Sequence, residues 1–116
     1  MNIDKTAVDG AAVVALAGRL DNAGSQVARE ALITAIEPGG RLVIDMTACD
    51  YVASSGLRVL LIAAKQAAMA GCKAVLCGVQ PAVWDVIVMT GFEDVLEAFG
   101  DRTQALAALT ATGATP

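Results

Sequence analysis

The chain has 116 residues and a formal net charge of −4, and 56% of it is hydrophobic but only 3% is aromatic. This length predicts one compact domain whose core needs no disulfide or metal to hold it together. The acidic excess and the scarcity of aromatic rings argue against binding to DNA or RNA, because such binding depends on basic patches that contact phosphates.

Two further exclusions follow from local patterns. Residues 1–6 lack the basic start and apolar run of a signal peptide, and no stretch reaches the roughly 18 uninterrupted apolar residues of a membrane span. The longest apolar stretch, 57–69, is broken by Arg58, Lys65 and Gln66. We therefore expect a cytoplasmic protein without membrane insertion.

The cysteines do not indicate a metal site. Cys49, Cys72 and Cys77 form no CxxC pair, and the chain has no histidine. A structural zinc site normally needs four Cys or His ligands. We expect three reduced, mostly buried thiols and no cofactor.

The first predicted elements are a β-hairpin and a helix. Residues 3–8 and 11–17 flank Asp9-Gly10, a dipeptide typical of tight hairpin turns. Asp21 or Asn22 then suits the first position of a helix, where a side-chain oxygen accepts from free backbone N–H groups. This helix is expected to end near Ile36, before Pro38-Gly39-Gly40.

A buried strand is predicted over residues 42–46, and residues 47–52 are interpreted as a connecting segment. A second helix is expected from about Gly56 to Ala70, with Gly71 as its cap. Its predicted buried face repeats at helical spacing and comprises Leu57, Leu60, Leu61, Ala64 and Ala68.

The remaining predicted elements are a strand over 73–77, a helix from Pro81 to Gly91, one short strand within 92–99, and a last helix over 102–109 capped by Asp101. This alternation predicts a single α/β domain with a mixed four- or five-stranded sheet and about four helices packed on it. The domain is expected to cover residues 1–110, and residues 111–116 are expected to form a flexible tail.

The chemistry is concentrated at the predicted start of the second helix. A side-chain oxygen of Ser54 or Ser55 could cap backbone N–H groups there, which is a purely structural role. The same place also tolerates a phosphate, since a helix N-terminus carries partial positive charge and free donors. Local chemistry alone leaves both interpretations open.

Catalysis by either serine is hard to support. A nucleophilic serine needs a base, and the chain has no histidine. Lys65 is the best alternative, but it lies on the third turn of the same predicted helix. Val52 also breaks the G-x-S-x-G pattern of hydrolases. We therefore do not expect an enzyme.

A set of motifs occurs in order along the chain: Gly18-Arg19-Leu20-Asp21, Leu42-Val43-Ile44-Asp45-Met46, Tyr51-Val52-Ala53-Ser54-Ser55-Gly56-Leu57-Arg58, Gln80-Pro81-Ala82-Val83 and Thr90-Gly91-Phe92. This ordered set resembles the STAS domain family, in particular its anti-sigma-factor antagonists of the SpoIIAA and RsbV type. The resemblance covers nearly the whole chain without large insertions.

This resemblance implies a partner-switching protein. In the family, the unphosphorylated antagonist binds an anti-sigma factor with a GHKL-type kinase fold and so frees the sigma factor. The kinase phosphorylates the antagonist on a serine and ends the interaction, and a PP2C-type phosphatase removes the phosphate. We expect a monomer or weak dimer.

The resemblance also implies the site. In the family pattern D-S-[ST]-G the first serine is the acceptor, which corresponds to Ser54, with Ser55 as the second choice. Ala53 stands where the pattern has an acidic residue, so the choice between the two hydroxyls stays open. The expected partner-binding surface comprises Asp21, Asn22, Ala53, Ser54, Ser55, Gly56, Leu57, Arg58 and Trp84.

Two of these residues have alternatives of their own. Asp21 could be only a helix cap, a partner contact, or both. Trp84 and Val88 lie four residues apart, on a different face of their helix from Val83 and Ile87. The Trp84 ring could therefore lie flat over a neighbouring element or mark a contact surface.

A rival function is a structural STAS subunit of a lipid-transport ABC complex, which would dock on its ATPase through the same helix start. No phosphate cycle would then be needed, and the absence of an acidic residue at Ala53 is compatible with this alternative.

Overall fold

A computed structural model describes residues 1–114. Its strands and helices alternate along the chain as β1 (Asn2–Val8), β2 (Ala11–Leu20), α1 (Asn22–Ala35), β3 (Arg41–Asp45), β4 (Cys49–Val52), α2 (Ser54–Met69), β5 (Lys73–Cys77), α3 (Pro81–Met89), β6 (Ala98–Phe99) and α4 (Arg102–Ala114).

The strands form one mixed sheet in the order β1-β2-β3-β5-β6, and β4 pairs with β2 off this path. β1 and β2 are antiparallel, as their tight hairpin requires, while the other pairs are parallel. The turn residues Asp9 and Gly10 have φ of 51° and 80°. Positive φ at both positions is the requirement of a type I′ turn, so the predicted hairpin is confirmed.

Alternate residues of the central strands face two layers of helices. Val14 and Ile44 pack with α1, α2 and α3 in the larger core cluster. Val13 and Val43 pack on the other face with Ala105 of α4. The period of two along each strand therefore gives the sheet two covered faces, as expected of buried parallel strands.

Most element predictions are confirmed, including the single α/β domain, β5 over residues 73–77 and a short strand near Phe99. Asp101 caps α4, because its carboxylate accepts a 2.8 Å hydrogen bond from the backbone amide of Gln104. The sheet nevertheless has six strands within the described residues rather than four or five, because residues 47–52, interpreted as a connection, contain β4.

Two further predictions need correction. α4 continues to Ala114 rather than ending at 109, and positions 115–116 of the predicted tail lie outside the described residues. The domain boundary at 110 stays a prediction. The buried face of α2 is also displaced from the predicted one. Leu57 and Leu60 are buried as predicted, but Leu61 and Ala64 are only half-buried and Ala68 is exposed. The buried residues are Gly56, Leu57, Val59, Leu60, Ala63 and Ala67.

The three cysteines are free and buried. Burial raises the pKa of the Cys77 thiol to about 12, and the nearby Asp45 carboxylate adds to this effect. A thiol with such a pKa stays protonated at neutral pH and is a poor nucleophile. Among the helices of residues 1–114, none is both long and apolar enough to cross a bilayer.

An ion pair between the buried Asp45 carboxylate and the half-exposed Arg102 side chain joins the sheet to α4. Asp45, at the end of β3, is only 8% exposed. Its carboxylate accepts from the amide and hydroxyl of Thr47, at 2.9 and 2.6 Å, and from Arg102 Nε at 2.6 Å. Burial by itself raises the pKa of Asp45, but the bonds from Thr47 and Arg102 outweigh it and bring the pKa below its ordinary value.

This pair predicts an acid-dependent loss of stability. Because the pKa of Asp45 is lower in the folded than in the unfolded chain, its stabilisation is complete above the unfolded pKa of about 3.9 and disappears as the pH falls through the folded pKa. Asp45→Asn should lower the free energy of unfolding at neutral pH by about 1–3 kcal/mol. It should also flatten the decline in acid.

Urea unfolding at a series of pH values measures both effects, with Asp94→Asn, at an exposed carboxylate, as the charge-matched control. An Asp45→Asn variant as stable as the wild type at neutral pH, with the same acid profile, would contradict the role of this pair.

Candidate functional site

The site is built where two parallel strands end side by side. The last residues of β2 pair with β4 in the register Gly18↔Cys49, Arg19↔Tyr51 and Leu20↔Val52. The Ala53 amide continues this pairing by donating to the Leu20 carbonyl at 3.0 Å. Because both strands run directly into helices, α1 and α2 begin next to each other at the same edge of the sheet.

Gly56 allows this close approach. A Cβ at Gly56 would lie 2.5 Å from the Leu20 carbonyl oxygen and 2.6 Å from its Cγ. Real Cβ atoms do not approach other heavy atoms so closely, so only glycine fits here without movement. The first turn of α2 is therefore seated directly on the end of β2.

The start of α1 is capped as predicted for Asp21. Its carboxylate accepts from the Gly24 amide at 2.9 Å, which satisfies one of the free donors of the first turn. Asp21 is half-buried, so the cap leaves part of the side chain at the surface. The structural role of Asp21 is thus established, and a partner contact stays a prediction.

Three polar side chains connect the two helix starts. The Ser55 hydroxyl donates to Asn22 Oδ1 at 2.6 Å. Ser25, which is 4% exposed, directs its hydroxyl to the Asp21 carbonyl and lies 3.4 Å from the Ser55 hydroxyl oxygen. Ser55 therefore belongs to a bridge between α1 and α2.

Ser54 is in a different situation. It is the first residue of α2 and is exposed, and its hydroxyl makes no hydrogen bond to any residue within 1–114. The residue at the cap position is Ala53, which has no side-chain acceptor. The interpretation of Ser54 or Ser55 as a helix cap is therefore wrong, and the first turn keeps free N–H donors.

Charged residues of both signs lie close to the two serines in the sequence or on the paired ends of β2 and β4. Arg19 stacks on the Tyr51 ring, with its guanidinium carbon 4.1 Å from the ring centroid. Asp50 and Arg58 are exposed. Arg58 lies four residues after Ser54 on the same helix, and residues at this spacing are neighbours on a helix surface.

The other predicted partner-binding residues lie in two different environments. Gly56 and Leu57 are buried and pack α2 onto the sheet. Trp84 is half-buried and packs against the larger core cluster, whereas Val88 on the same helix is 44% exposed. The contribution of Gly56, Leu57 and Trp84 to binding a partner stays a prediction.

Sequence reasoning missed Ser25. Ser25 lies three residues before Ala28 and seven before Leu32, and both of these residues are buried. This helical spacing predicts that Ser25 also faces the core. A serine on such a stripe needs a hydrogen-bond partner, and this requirement is the signal that could have identified it.

Comparison with known proteins identifies the family of this chain. The family model of the STAS domain matches residues 2–105. A Bordetella bronchiseptica protein named "Putative anti-sigma factor antagonist BtrV" is 31% identical over 109 residues, which are 93% of this chain and 94% of that protein. The chain therefore belongs to the STAS domain family, as its motifs predicted.

Solved structures share the architecture. A serine-to-glutamate variant of RsbS from Moorella thermoacetica is 26% identical, with a TM-score of 0.84 over 99% of this chain and 100% of that one. The Bacillus cell fate determinant SpoIIAA in its phosphorylated form is 18% identical, with a TM-score of 0.71 over 93% and 99% of the two chains.

The seat of α2 on β2 predicts a cost for any side chain at Gly56. Gly56→Ala should lower the free energy of unfolding by about 1–3 kcal/mol, because crowding against Leu20 outweighs the better helix propensity of alanine. Urea unfolding measures this cost.

Gly100→Ala is the control, since its added methyl group meets only the end of the Gln104 side chain, which accepts from the Gly100 backbone amide and can move. Its cost should therefore stay below that of Gly56→Ala. An unchanged or increased stability of Gly56→Ala would contradict the close contact.

Proposed function

We propose that this chain is an anti-sigma-factor antagonist that works by partner switching in the cytoplasm. The unphosphorylated chain binds an anti-sigma factor with a GHKL-type kinase fold and releases the sigma factor. Phosphorylation of Ser54 by that kinase ends the interaction, and a PP2C-type phosphatase restores it.

The observation that carries this proposal is the free hydroxyl of Ser54. It is exposed, it makes no hydrogen bond within the described residues, and its small neighbour Ala53 leaves it accessible to another protein's active site. Ser55 is half-buried and already donates to Asn22. Of the two serines that the family pattern offers, Ser54 is the better acceptor.

The surroundings of Ser54 suit the product as well as the substrate. Free N–H donors of the first turn of α2 and the partial positive charge of the helix start favour an anion there. Arg58 adds a cation one turn further along the same helix. A phosphate on Ser54 is therefore compatible with the folded domain.

The transfer itself requires no catalytic group from this chain. The Ser54 oxygen bonds to the γ-phosphorus of ATP, the bond from that phosphorus to the bridging oxygen breaks, and ADP leaves. The hydroxyl proton passes to a base of the kinase. Neither serine contacts a base of its own, since Ser55 donates to an amide oxygen and Ser54 is unbonded within residues 1–114.

Charge provides the switching energy. A phosphoserine adds about −1.5 to −2 charges at neutral pH to a chain whose net charge is −4. A hundredfold loss of affinity corresponds to about 2.7 kcal/mol. One charge that must be desolvated against a partner surface can supply that amount.

The relatives support the same proposal. The Bordetella relative is named for antagonism of an anti-sigma factor. SpoIIAA has been solved in a phosphorylated form, so a domain of this fold can carry phosphate and keep its architecture.

The proposal predicts where phosphate appears. Incubation with ATP and the GHKL-type serine kinase of the same organism should place one phosphate on Ser54, and Ser54→Ala should lose most of the incorporation. Mass spectrometry of peptides identifies the site. Thr103 is the internal control, because it is also exposed in the first turn of a helix and should stay unmodified.

A Ser54→Ala, Ser55→Ala double variant that is phosphorylated as well as the wild type would contradict the proposed site. A wild-type chain that takes up no phosphate, yet binds the ATPase of a lipid-transport ABC complex tightly, would favour the structural-subunit alternative.

A further inference from the structure

We propose that Asn22 determines which serine is phosphorylated, by holding the Ser55 hydroxyl in a hydrogen bond that ties the start of α2 to the start of α1. This inference rests on the proposed phosphorylation of the site. It adds a structural reason why the kinase modifies Ser54 rather than the adjacent Ser55.

The Ser55 hydroxyl makes one short hydrogen bond and one long contact. A serine hydroxyl has one hydrogen to donate. Ser25 directs its hydrogen to the Asp21 carbonyl, and Ser55 directs its hydrogen to Asn22 Oδ1 at 2.6 Å. The remaining contact between the two serine oxygens is 3.4 Å long and is correspondingly weak.

Two features of Ser55 oppose its phosphorylation: the hydrogen bond to Asn22 and its half-buried position. To enter a kinase active site, the Ser55 oxygen must turn away from Asn22 and lose a short bond, which for a typical protein hydrogen bond costs a factor of about two to ten. Ser55 is also half-buried beside α1, so a kinase must reach it past that helix. Ser54 meets neither obstacle.

Asn22 is well placed for this role because its own fold contribution is small. It is exposed and is the first residue of α1, where Asp21 already provides the cap. Removing the Asn22 amide should therefore release Ser55 without unfolding the first turn. The two side chains are separated by 33 positions in the chain, so their contact depends on the paired ends of β2 and β4.

The experiment compares phosphate incorporation in a Ser54→Ala background, where Ser55 is the remaining serine of the motif. The kinase is the GHKL-type enzyme that modifies the wild type, with ATP, and mass spectrometry reports the site. Adding Asn22→Ala should raise the initial rate of phosphorylation at Ser55 by about two- to tenfold, as expected for release of one hydrogen bond. Adding Gln26→Ala, which removes another exposed amide from the same helix, should leave that rate unchanged.

In the chain that retains Ser54, Asn22→Ala should also shift the ratio of phosphate on Ser54 to phosphate on Ser55 towards Ser55. A change of overall stability alone would not move this ratio. Circular dichroism and thermal unfolding verify that each variant is folded.

The outcomes separate the two proposals. Phosphate on Ser54 in the wild type, with no effect of Asn22→Ala on either the rate or the ratio, overturns the role of Asn22 and leaves the proposed function in place. Efficient phosphorylation of Ser55 in Ser54→Ala with Asn22 intact also overturns it. No phosphate on the wild-type chain overturns both proposals.

Discussion

The parallel pairing between the end of β2 and β4 is the interaction on which the site depends. The register Leu20↔Val52, extended by the bond from the Ala53 amide to the Leu20 carbonyl, aligns the ends of two strands. Each strand leads directly into a helix, so both helix starts lie at one edge of the sheet. Gly56 completes the arrangement, because any Cβ there would meet Leu20.

The elements that were predicted correctly carry their own local signals. Asp9-Gly10 can adopt the two positive φ values of a tight turn, and Asp21 provides the acceptor that begins α1. β4 has no such signal, since exposed Asp50 and Tyr51 interrupt its two buried residues and its pairing partner lies some thirty residues earlier. The buried face of α2 was misplaced for a related reason. Alanine and leucine occur on both sides of that helix, so composition alone does not distinguish its faces, and contact with the sheet decides.

The candidate site also has parts that the sequence predicted and parts that it did not. The resemblance to the family predicted the two serines and Asp21 as site residues, because these positions lie within recognisable motifs, and their roles towards a partner stay predictions. The different environments of Ser54 and Ser55 could not be predicted. They depend on Asn22 and Ser25 of α1, a helix that is distant in the sequence but adjacent in the fold. Adjacent hydroxyls in the sequence thus become one free side chain and one bonded side chain, which is a property of the tertiary structure alone.

The proposed phosphorylation of Ser54 would change the surface of the domain and leave its fold intact. The most direct test is calorimetric titration of the kinase-fold partner with the chain before and after phosphorylation at Ser54, with circular dichroism of both forms. We predict binding weakened at least about a hundredfold, which is about 2.7 kcal/mol, and unchanged dichroism. Equal affinities of the two forms, or a loss of binding that accompanies loss of helical signal, would contradict this mechanism.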